Sequence, residues 1–375
     1  MTARIVYFVH DVGDPAICKR VAMLREGGAN VVVIGFRRSD QPVNEVSGAP
    51  VIDLGRTFHL RLGHRATAVI RQVIRASRLA DIVRGADVVL ARNLEMLAIA
   101  ARARHLVAPR SRFVYECLDI HPAMVGLGRK GRMLRAIERM LPRRCDLLIV
   151  SSQAFIDAYF LPCQHLATPV MLVENKALRI EPGTPDLMAS PGRARPPWRI
   201  GWFGIIRAQK ALDILSRIAT ENAGLVEIVI RGRPGLAEFR DFHAQVQAIP
   251  NVRFGGGYTP DDLPAMYANI DFCWAFDYFD EGAGSNWLLP NRLYEGGQFA
   301  AIPMARSGTE TSRWMQQRGI GVSFTDPAAE VGPWLRAMTS EGYEELVQAS
   351  RRLVHDDVVA GPKDCRALVQ ALVAA

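Results

Sequence analysis

Cysteine is scarce in this sequence and its few copies lie far apart. The six cysteines, at positions 18, 117, 145, 163, 273 and 365, form no CxxC pair and have no histidine cluster beside them. This spacing argues against a structural zinc site and against a disulfide framework. We therefore expect a protein of a reducing compartment, the cytoplasm.

Long apolar runs are missing as well. The longest, such as VVVIGF from Val31 and LLIV from Leu147, have the length of a β-strand, whereas a membrane-spanning helix needs ~20 residues. The first strand-like segment begins at Arg4 and ends before His10 and Asp11, unlike the charged start and apolar run of a signal peptide. We expect no export signal, and any membrane contact to be peripheral.

Charge is distributed unevenly along the chain. Residues 1–150 contain 25 Lys and Arg against 13 Asp and Glu, and residues 151–375 contain 21 against 25, so the two parts carry +12 and −4. A basic first part favours an anionic partner, which could be nucleic acid, anionic lipid or a diphosphate-bearing substrate. Charge alone does not choose among them.

Two basic segments of the first part have helical spacing. Between Arg56 and Arg84, arginines alternate with apolar residues, and the pattern recurs from Arg129 to Arg144 around Met133, Leu134, Ile137 and Leu141. A high-GC genome would also enrich arginine. The clustering nevertheless favours a basic amphipathic surface that can lie on an anionic membrane.

The fold class follows from a repeated strand–helix alternation, which is typical of α/β domains with doubly wound parallel sheets. Residues 1–180 are predicted to form one such domain. A Pro- and Gly-rich segment at 181–197 interrupts the pattern and is predicted to be a linker. A second domain is predicted for 198–341, and helices at 342–375 either cover that domain or cross back to the first. The predicted strands are IVYFV, NVVVIGF, ADVVLAR, RFVYEC, DLLIVSS and PVMLVEN in the first domain, and RIGWFG, VEIVIRG, NVRFGG, IDFCWAF and AAIPMA in the second.

The first strand of the second domain leads into GWFGIIRAQKALDIL. Ligands of open parallel sheets bind beyond the carboxyl ends of the strands. Gly204 there permits close backbone approach, and Arg207 and Lys210 stand near a helix start. Two cations beside a helix N-terminus predict a diphosphate site, although both could be ordinary surface charges.

A second polar segment, SNWLLPNRLYEGGQFAAIPMA, begins at Ser285. Pro290 starts a helical pattern that contains Glu295. A carboxylate there could accept hydrogen bonds from two vicinal hydroxyls, which is a way of binding a ribose. The alternative is an exposed helical glutamate near Arg292.

These segments resemble the GT-B glycosyltransferases of the large family that includes enzymes of bacterial capsule, exopolysaccharide and lipopolysaccharide synthesis (family 4-like, "glycosyl transferases group 1"). PNRLYEGGQFAAIPM is similar to the family's ribose-binding segment, and Arg207 and Lys210 are similar to its phosphate-binding pair. NVRFGGGYTPDDLPAMYANIDFCWAF, VENKAL and VYECLDIHP extend the resemblance over nearly the whole chain. The opening VHDVGDP with GFRR at 35–38 is similar to glucosyltransferases of succinoglycan-type exopolysaccharide assembly.

The resemblance implies two Rossmann-like domains that face a cleft, and transfer of a hexose from a nucleoside diphosphate sugar, expected to be a UDP-sugar. The implied acceptor is a saccharide or a polyprenyl diphosphate-linked sugar at the inner face of the cell membrane. No cofactor, no metal and no nucleic-acid partner are expected. The implied donor-binding residues are Gly204, Arg207, Lys210, Tyr258, Asn291 and Glu295, with backbone groups near Tyr258 reading the nucleobase.

One departure from the family pattern concerns stereochemistry. Retaining relatives often have a second glutamate eight residues before the ribose ligand, where this chain has Trp287. An inverting reaction would need a general base. The candidates are His10, Asp11, Asp14, Asp119 and His121; Asp14 is favoured, followed by Asp119 and His121. Alternatively Asp14 caps a helix and His121 belongs to a turn, while Trp287 either packs or stacks on a sugar.

Two other functions share this architecture. A nucleotide-sugar epimerase would use the same donor site, but it would not need a basic membrane-facing surface. A non-catalytic nucleotide-sugar-binding scaffold is compatible with the missing second glutamate. A dinucleotide-dependent dehydrogenase is disfavoured because neither first βα turn contains GxGxxG.

Overall fold

The computed structural model describes residues 2–57, 62–120, 122–126, 128–180, 194–281 and 284–374. The chain divides into two compact units. The first comprises Met1–Glu174, Leu178–Ile180 and Ala360–Ala375, and the second comprises Asn175–Ala177 and Glu181–Val359. Most of the predicted linker, residues 181–193, lies outside the described residues.

The first unit is built on an eight-stranded sheet with the order β3-β4-β2-β1-β5-β6-β7-β8. Neighbouring strands are parallel, apart from the antiparallel pair β3–β4. The strands are β1 (Arg4–Val9), β2 (Asn30–Arg37), β3 (Glu45–Val46), β4 (Ala49–Arg56), β5 (Val88–Arg92), β6 (Arg112–Cys117), β7 (Leu147–Val150) and β8 (Val170–Leu172).

Helices connect these strands. They are α1 (Pro15–Glu26), α2 (Leu62–Ile74), α3 (Ala80–Val83), α4 (Asn93–Val107), α5 (Pro122–Val125), α6 (Arg129–Met140) and α7 (Gln153–Phe155), which continues as a π-helical segment, Ile156–Gln164. β1 is buried along Ile5–Val9, as a parallel strand covered on both faces must be. This explains why the central strands are continuous apolar runs.

The chain's last helix completes the first unit. Two-residue strands β9 (Ala177–Leu178) and β16 (Val359–Ala360) pair with each other, and α16 (Pro362–Val373) packs against α1. A Cβ atom at Gly27 would lie 2.3 Å from the Cys365 carbonyl oxygen, so this close approach requires glycine. Cys365, Leu368 and Leu372 of α16 belong to the core of the first unit.

The second unit contains a six-stranded parallel sheet with the order β12-β11-β10-β13-β14-β15. Its strands are β10 (Trp198–Ile206), β11 (Val226–Pro234), β12 (Val252–Phe254), β13 (Phe272–Trp274), β14 (Ile302–Arg306) and β15 (Val322–Phe324). Its helices are α8 (Gln209–Glu221), α9 (Phe242–Gln247), α10 (Leu263–Tyr267), α11 (Asn291–Gly297), α12 (Glu310–Arg318), α13 (Pro327–Arg336), α14 (Ser340–Arg351) and α15 (His355–Val358).

Aromatic residues form a large part of the core of the second unit. Trp198, Trp202 and Trp274 are buried among the aliphatic residues of β10, β11 and α8. The Trp198 ring lies 5.0 Å from that of Tyr343 in α14, so α14 packs on its own unit. Within the described part of the chain, no helix is long and apolar enough to cross a membrane.

Candidate functional site

The second unit has a topological switch point between β10 and β13. From β10 the chain continues to β11 on one side, and it later returns to β13 on the other side. Loops at the carboxyl ends of such strands diverge and leave room for a ligand. The segment that contains Arg207 and Lys210 follows β10, and the loop 275–281 follows β13.

Two glycines bring the ends of β10 and β11 together. Gly204 has φ +107° and Gly232 has φ +141°, and both values favour glycine. A Cβ atom on Gly232 would lie 1.8 Å from the Gly204 carbonyl oxygen. A Cβ on Gly204 would lie 3.9 Å from the Tyr258 hydroxyl, so the backbone of β10 is open on the side of Tyr258.

Arg207 lies at the entrance to α8. Its guanidinium is 4.2 Å from the centre of the Phe279 ring, a cation–π arrangement. One Nη atom is 3.7 Å from an Asp277 carboxylate oxygen. Asp277 is itself held in place, because its other oxygen accepts hydrogen bonds from the Ser285 hydroxyl at 2.5 Å and from the Phe279 backbone N–H at 3.0 Å.

Lys210 lies in the first turn of α8 and binds the same loop. Its ammonium donates to both oxygens of Glu281, each at 2.7 Å. Arg306, at the end of β14, donates to one of these oxygens at 2.9 Å and also to the Asn286 side chain. The Tyr278 ring lies within cation–π distance of both Lys210 and Arg306. Lys210 is therefore one of a cluster of cations and not an isolated surface charge.

Glu295 is half-buried in α11. The Tyr258 hydroxyl donates a hydrogen bond of 3.4 Å to its carboxylate. Burial and the adjacent Glu295 charge raise the pKa of Tyr258 well above its ordinary value, so the hydroxyl keeps its proton at neutral pH and remains a donor. Tyr258 thus orients Glu295 through its side chain, a contact that the sequence alone did not indicate.

Arg292 is buried, although the sequence suggested an exposed neighbour of Glu295. It is 8% exposed and donates to the carbonyl oxygens of Phe203 in β10 and Phe276 after β13. It therefore joins α11 to both sides of the switch point. Asn291 is exposed at the start of α11, and its side chain accepts a hydrogen bond of 2.5 Å from Asn175. Trp287 is half-buried before α11.

In the first unit, Asp14 does two things. One carboxylate oxygen accepts from the Ala16 N–H at 2.8 Å and caps α1, as the simpler interpretation of the sequence predicted. The other oxygen lies 3.6 Å from His10 Nε2. His10 Nδ1 lies 3.3 Å from the Asn93 amide, and Asn93 has φ +67°. Asp14 and His10 are thus brought together after β1.

Burial keeps the His10 imidazole largely neutral. The pKa of His10 is lowered from 6.5 mainly by burial. The charges of Asp14 and Glu95 raise this pKa, while those of Arg92 and Arg38 lower it. A neutral imidazole held by a carboxylate can accept a proton near neutral pH.

The remaining predicted acceptor-side residues are not part of this pair. Asp11 is buried, and it accepts from the Gly13 N–H and pairs with Arg38 at 3.1 Å, so it stabilises the loop. Asp119 is exposed two residues beyond β6. His121 lies outside the described residues.

A buried charge cluster lies next to Asn93, the residue that contacts His10. Glu116 of β6 is completely buried, and its two carboxylate oxygens pair with Arg20 at 2.6 Å and with Arg92 at 2.9 Å. The Tyr7 hydroxyl donates to the same carboxylate. Burial alone raises the pKa of Glu116, but the two arginines outweigh it and lower the pKa to about 2. Since Arg92 directly precedes Asn93, the cluster fixes the start of α4.

The chain is similar to known proteins in sequence and in fold. No protein-family model matches the chain. It is 42% identical over 374 residues to the succinoglycan biosynthesis protein ExoL of Rhizobium meliloti (strain 1021), a match that covers 98% of this chain and 93% of that protein.

Solved structures show the fold. HepE of Anabaena, in complex with UDP and glucose, matches with a TM-score of 0.62 and 16% identity over 98% of this chain and 94% of its own. WaaG, a glycosyltransferase involved in lipopolysaccharide biosynthesis, matches with a TM-score of 0.65 and 13% identity over 99% and 100%. Sucrose-phosphate synthase from Thermosynechococcus elongatus gives 0.68 and 13% over 99% and 95%. These likenesses confirm the predicted fold class, GT-B with two Rossmann-like domains.

Proposed function

The chain belongs to the family of the succinoglycan biosynthesis protein ExoL, and from this and its GT-B fold we infer that it is a glycosyltransferase of exopolysaccharide synthesis. It transfers a hexose from a nucleoside diphosphate sugar to a saccharide or a polyprenyl diphosphate-linked acceptor. Two observations support this function: Arg207 and Lys210 lie after β10 at the switch point of the second sheet, and Tyr258, the partner of Glu295, lies beside Gly204 of the same strand.

Donor binding uses the cations and the carboxylate at the carboxyl ends of the strands of the second sheet. Arg207 and Lys210 neutralise the diphosphate beside the N-terminus of α8, where N–H groups also point outward. Glu295, oriented by Tyr258, accepts hydrogen bonds from the two ribose hydroxyls. Gly204 lets the donor approach the backbone of β10, and Asn291 lies at the start of α11, one helical turn before Glu295. A uridine nucleotide is supported by HepE, whose structure contains UDP.

The transfer itself is an electrostatic problem. As the bond between the sugar and the diphosphate breaks, negative charge builds up on the leaving nucleoside diphosphate. Cations that are already in place stabilise this charge without reorganising, and removing one such group typically costs a factor of about 100 in rate. Lys210 and Arg207 have this role.

On the acceptor side, the same proposal assigns proton transfer to the pair formed by His10 and Asp14. One carboxylate oxygen of Asp14 accepts the capping hydrogen bond of α1, and the other faces His10 Nε2. With its Nε2–H turned toward Asp14, His10 accepts the proton of the acceptor hydroxyl on Nδ1, where the hydroxyl replaces the Asn93 amide. Asp14 orients the imidazole and stabilises its charged form. This replaces Asp14 as the predicted base by its histidine neighbour. Asp119 is proposed to contact the acceptor.

The acceptor's lipid is expected to be reached through α6. Met133, Ile137 and Met140 are 59%, 38% and 64% exposed, and their spacing places them on one helix face. The exposed arginines around them are Arg129, Arg132, Arg143 and Arg144. An apolar stripe flanked by cations fits the interface of an anionic membrane, so we place the protein peripherally at the inner face of the cell membrane.

The test is a transfer assay with UDP-sugars and a lipid extract that contains polyprenyl diphosphate-linked sugars. We expect release of UDP that depends on the acceptor, and a strong loss of turnover in Glu295→Ala and Lys210→Ala. Arg217→Ala is the matched control, because Arg217 is exposed on α8 and pairs with Glu221 one turn away.

The alternatives give different products. An epimerase would convert the sugar nucleotide without acceptor, and a scaffold would bind it without turnover. Wild-type turnover in both folded variants would contradict the donor site.

A further inference from the structure

Three cations of the second unit converge on one acidic loop. Arg207 and Lys210 come from the segment after β10, and Arg306 comes from the end of β14. The loop after β13 supplies the two carboxylates that they contact, Asp277 and Glu281. β14 lies next to β13 in the sheet, so Arg306 reaches the loop from the side opposite to β10.

Glu281 binds between two of these cations. Its carboxylate is 2.7 Å from Lys210 through each oxygen and 2.9 Å from Arg306 through one of them. A lysine and an arginine that share the oxygens of one anion can bind a phosphate group in the same way as they bind this carboxylate. The carboxylate therefore occupies a position that suits a phosphate.

Arg306 is positioned in advance for an anion. Its side chain is only 22% exposed, it lies 5.9 Å from the centre of the Tyr278 ring, and it donates to the Asn286 side chain. These contacts leave one end of the guanidinium directed at Glu281. Lys210, at 53% exposure, approaches the same anion from α8.

We propose that Arg306 is a third ligand of the donor diphosphate, and that Glu281 holds the anion position between Arg306 and Lys210 until the donor displaces it. This rests on the proposed donor site. A diphosphate that shared these cations with Glu281 would bring like charges together, which is unfavourable, so the carboxylate has to leave.

Glu281 is better suited to leave than Asp277. Asp277 is 10% exposed and is fixed by Ser285 and by the Phe279 N–H. Glu281 is 36% exposed, and within the described residues its side chain is bound by Lys210 and Arg306, the cations that the donor would claim. Rotation of one side chain into solvent therefore opens the position.

Titration calorimetry of the full chain with UDP, inorganic pyrophosphate and uridine tests both the role of Arg306 and the displacement of Glu281. We expect Arg306→Ala to weaken UDP and pyrophosphate binding by about 10- to 100-fold, the range for a lost charge-assisted hydrogen bond. Arg306→Lys should retain part of the affinity. Glu281→Gln should tighten both ligands by roughly threefold or more, because the cations no longer have to give up a carboxylate. None of the variants should change uridine binding.

Arg217→Ala is the control for loss of an arginine, and a near-UV circular dichroism spectrum checks each fold. UDP affinity equal to wild type in Arg306→Ala and Arg306→Lys would overturn the role of Arg306. Weaker or unchanged pyrophosphate binding by Glu281→Gln would overturn the displacement. If wild type bound UDP in a Glu295-dependent manner, these failures would refute only the present inference. If wild type bound neither UDP nor pyrophosphate, the donor site itself would be wrong.

Discussion

Replacing Glu116 by glutamine would leave Arg20 and Arg92 buried and without their carboxylate. Arg20 is 4% exposed and Arg92 is 1% exposed, so water cannot replace the lost partner. Removing one partner of a buried ion pair typically costs about 3–5 kcal/mol, because a charge remains buried without compensation. The cost should fall on the first unit, since Glu116, Arg20 and Arg92 all belong to it.

The pKa of Glu116 gives a second route to the magnitude. Its value falls from 4.5 to about 2 on folding, and one unit corresponds to about 1.4 kcal/mol, so the charged form stabilises the unit by about 3 kcal/mol. A lowered acid pKa stabilises the folded state fully above the unfolded value, and this contribution is lost as the pH falls toward the folded value. The difference between wild type and Glu116→Gln should therefore be largest at neutral pH and narrow as the pH falls from about 4.5 toward 2.

Hydrogen exchange followed by mass spectrometry can measure this loss for each unit separately. A loss of about 3 kcal/mol makes exchange through unfolding faster by on the order of a hundredfold. We expect this acceleration in peptides that cover β1 and β5. Peptides that cover β10 of the second unit serve as the internal reference, and the urea midpoint at neutral and acidic pH tests the pH dependence.

A matched variant is Asp81→Asn, which removes a carboxylate that is 98% exposed and 3.8 Å from Arg84. Exposed pairs contribute about 0–1 kcal/mol, so exchange should change little. The reasoning would be refuted if Glu116→Gln protected β1 and β5 as well as wild type does, or if its effect grew with acidification.

Three further predictions concern the acceptor side, the membrane and the second sheet. His10→Gln should lower turnover by about 100-fold or more. The acid limb of the wild-type pH–rate profile should lie below pH 6.5, because burial lowers the pKa of His10. An acid limb above pH 6.5, or an unchanged pH–rate profile in the variant, would contradict the role of His10. Replacing Met133, Ile137 and Met140 together by Gln should reduce sedimentation with phosphatidylglycerol vesicles by about tenfold or more. The control Leu236→Gln, at a site 58% exposed in the second unit, should not reduce it. Equal losses in both variants would contradict membrane binding through α6. Gly232→Ala should destabilise the second unit by ~2 kcal/mol or more. Tryptophan fluorescence in urea can measure this loss, because all six tryptophans lie in that unit. The control Gly224→Ala, at φ +79° with no atom within 4 Å of the new Cβ, should lower the free energy of unfolding by less, and equal losses would mean that the backbone contact between Gly232 and Gly204 is not tight.

The sheets were predictable where burial on both faces produces uninterrupted apolar runs. The predicted strands of both domains match β1, β2, β5 to β8 and β10 to β14. The hairpin of β3 and β4 was missed because APVIDLGR is half-buried at one edge and reads as a loop. β15 was missed because its sequence, VSF, is not part of an apolar run, and its pairing with β14 is a tertiary contact.

The site was predictable only in part. Arg207 and Lys210 could be proposed from the sequence because a strand end followed by a helix start is visible locally. Their partners could not, since Lys210 and Glu281 are 71 residues apart and no local pattern joins them. The burial of Arg292 was missed for the same reason, because carbonyl oxygens of β10 and of the loop after β13 receive its guanidinium.

The position of α16 affects when the first unit can form during synthesis. Its core includes Cys365, Leu368 and Leu372 beside Ile17, Val21 and Leu24 of α1, so residues near both ends of the chain share one interior. When only residues 1–174 have emerged from the ribosome, the core beside α1 still lacks the side chains of α16. Assembly there must wait until the whole second unit has been synthesised, and a premature stop after Val359 would damage the unit that was made first.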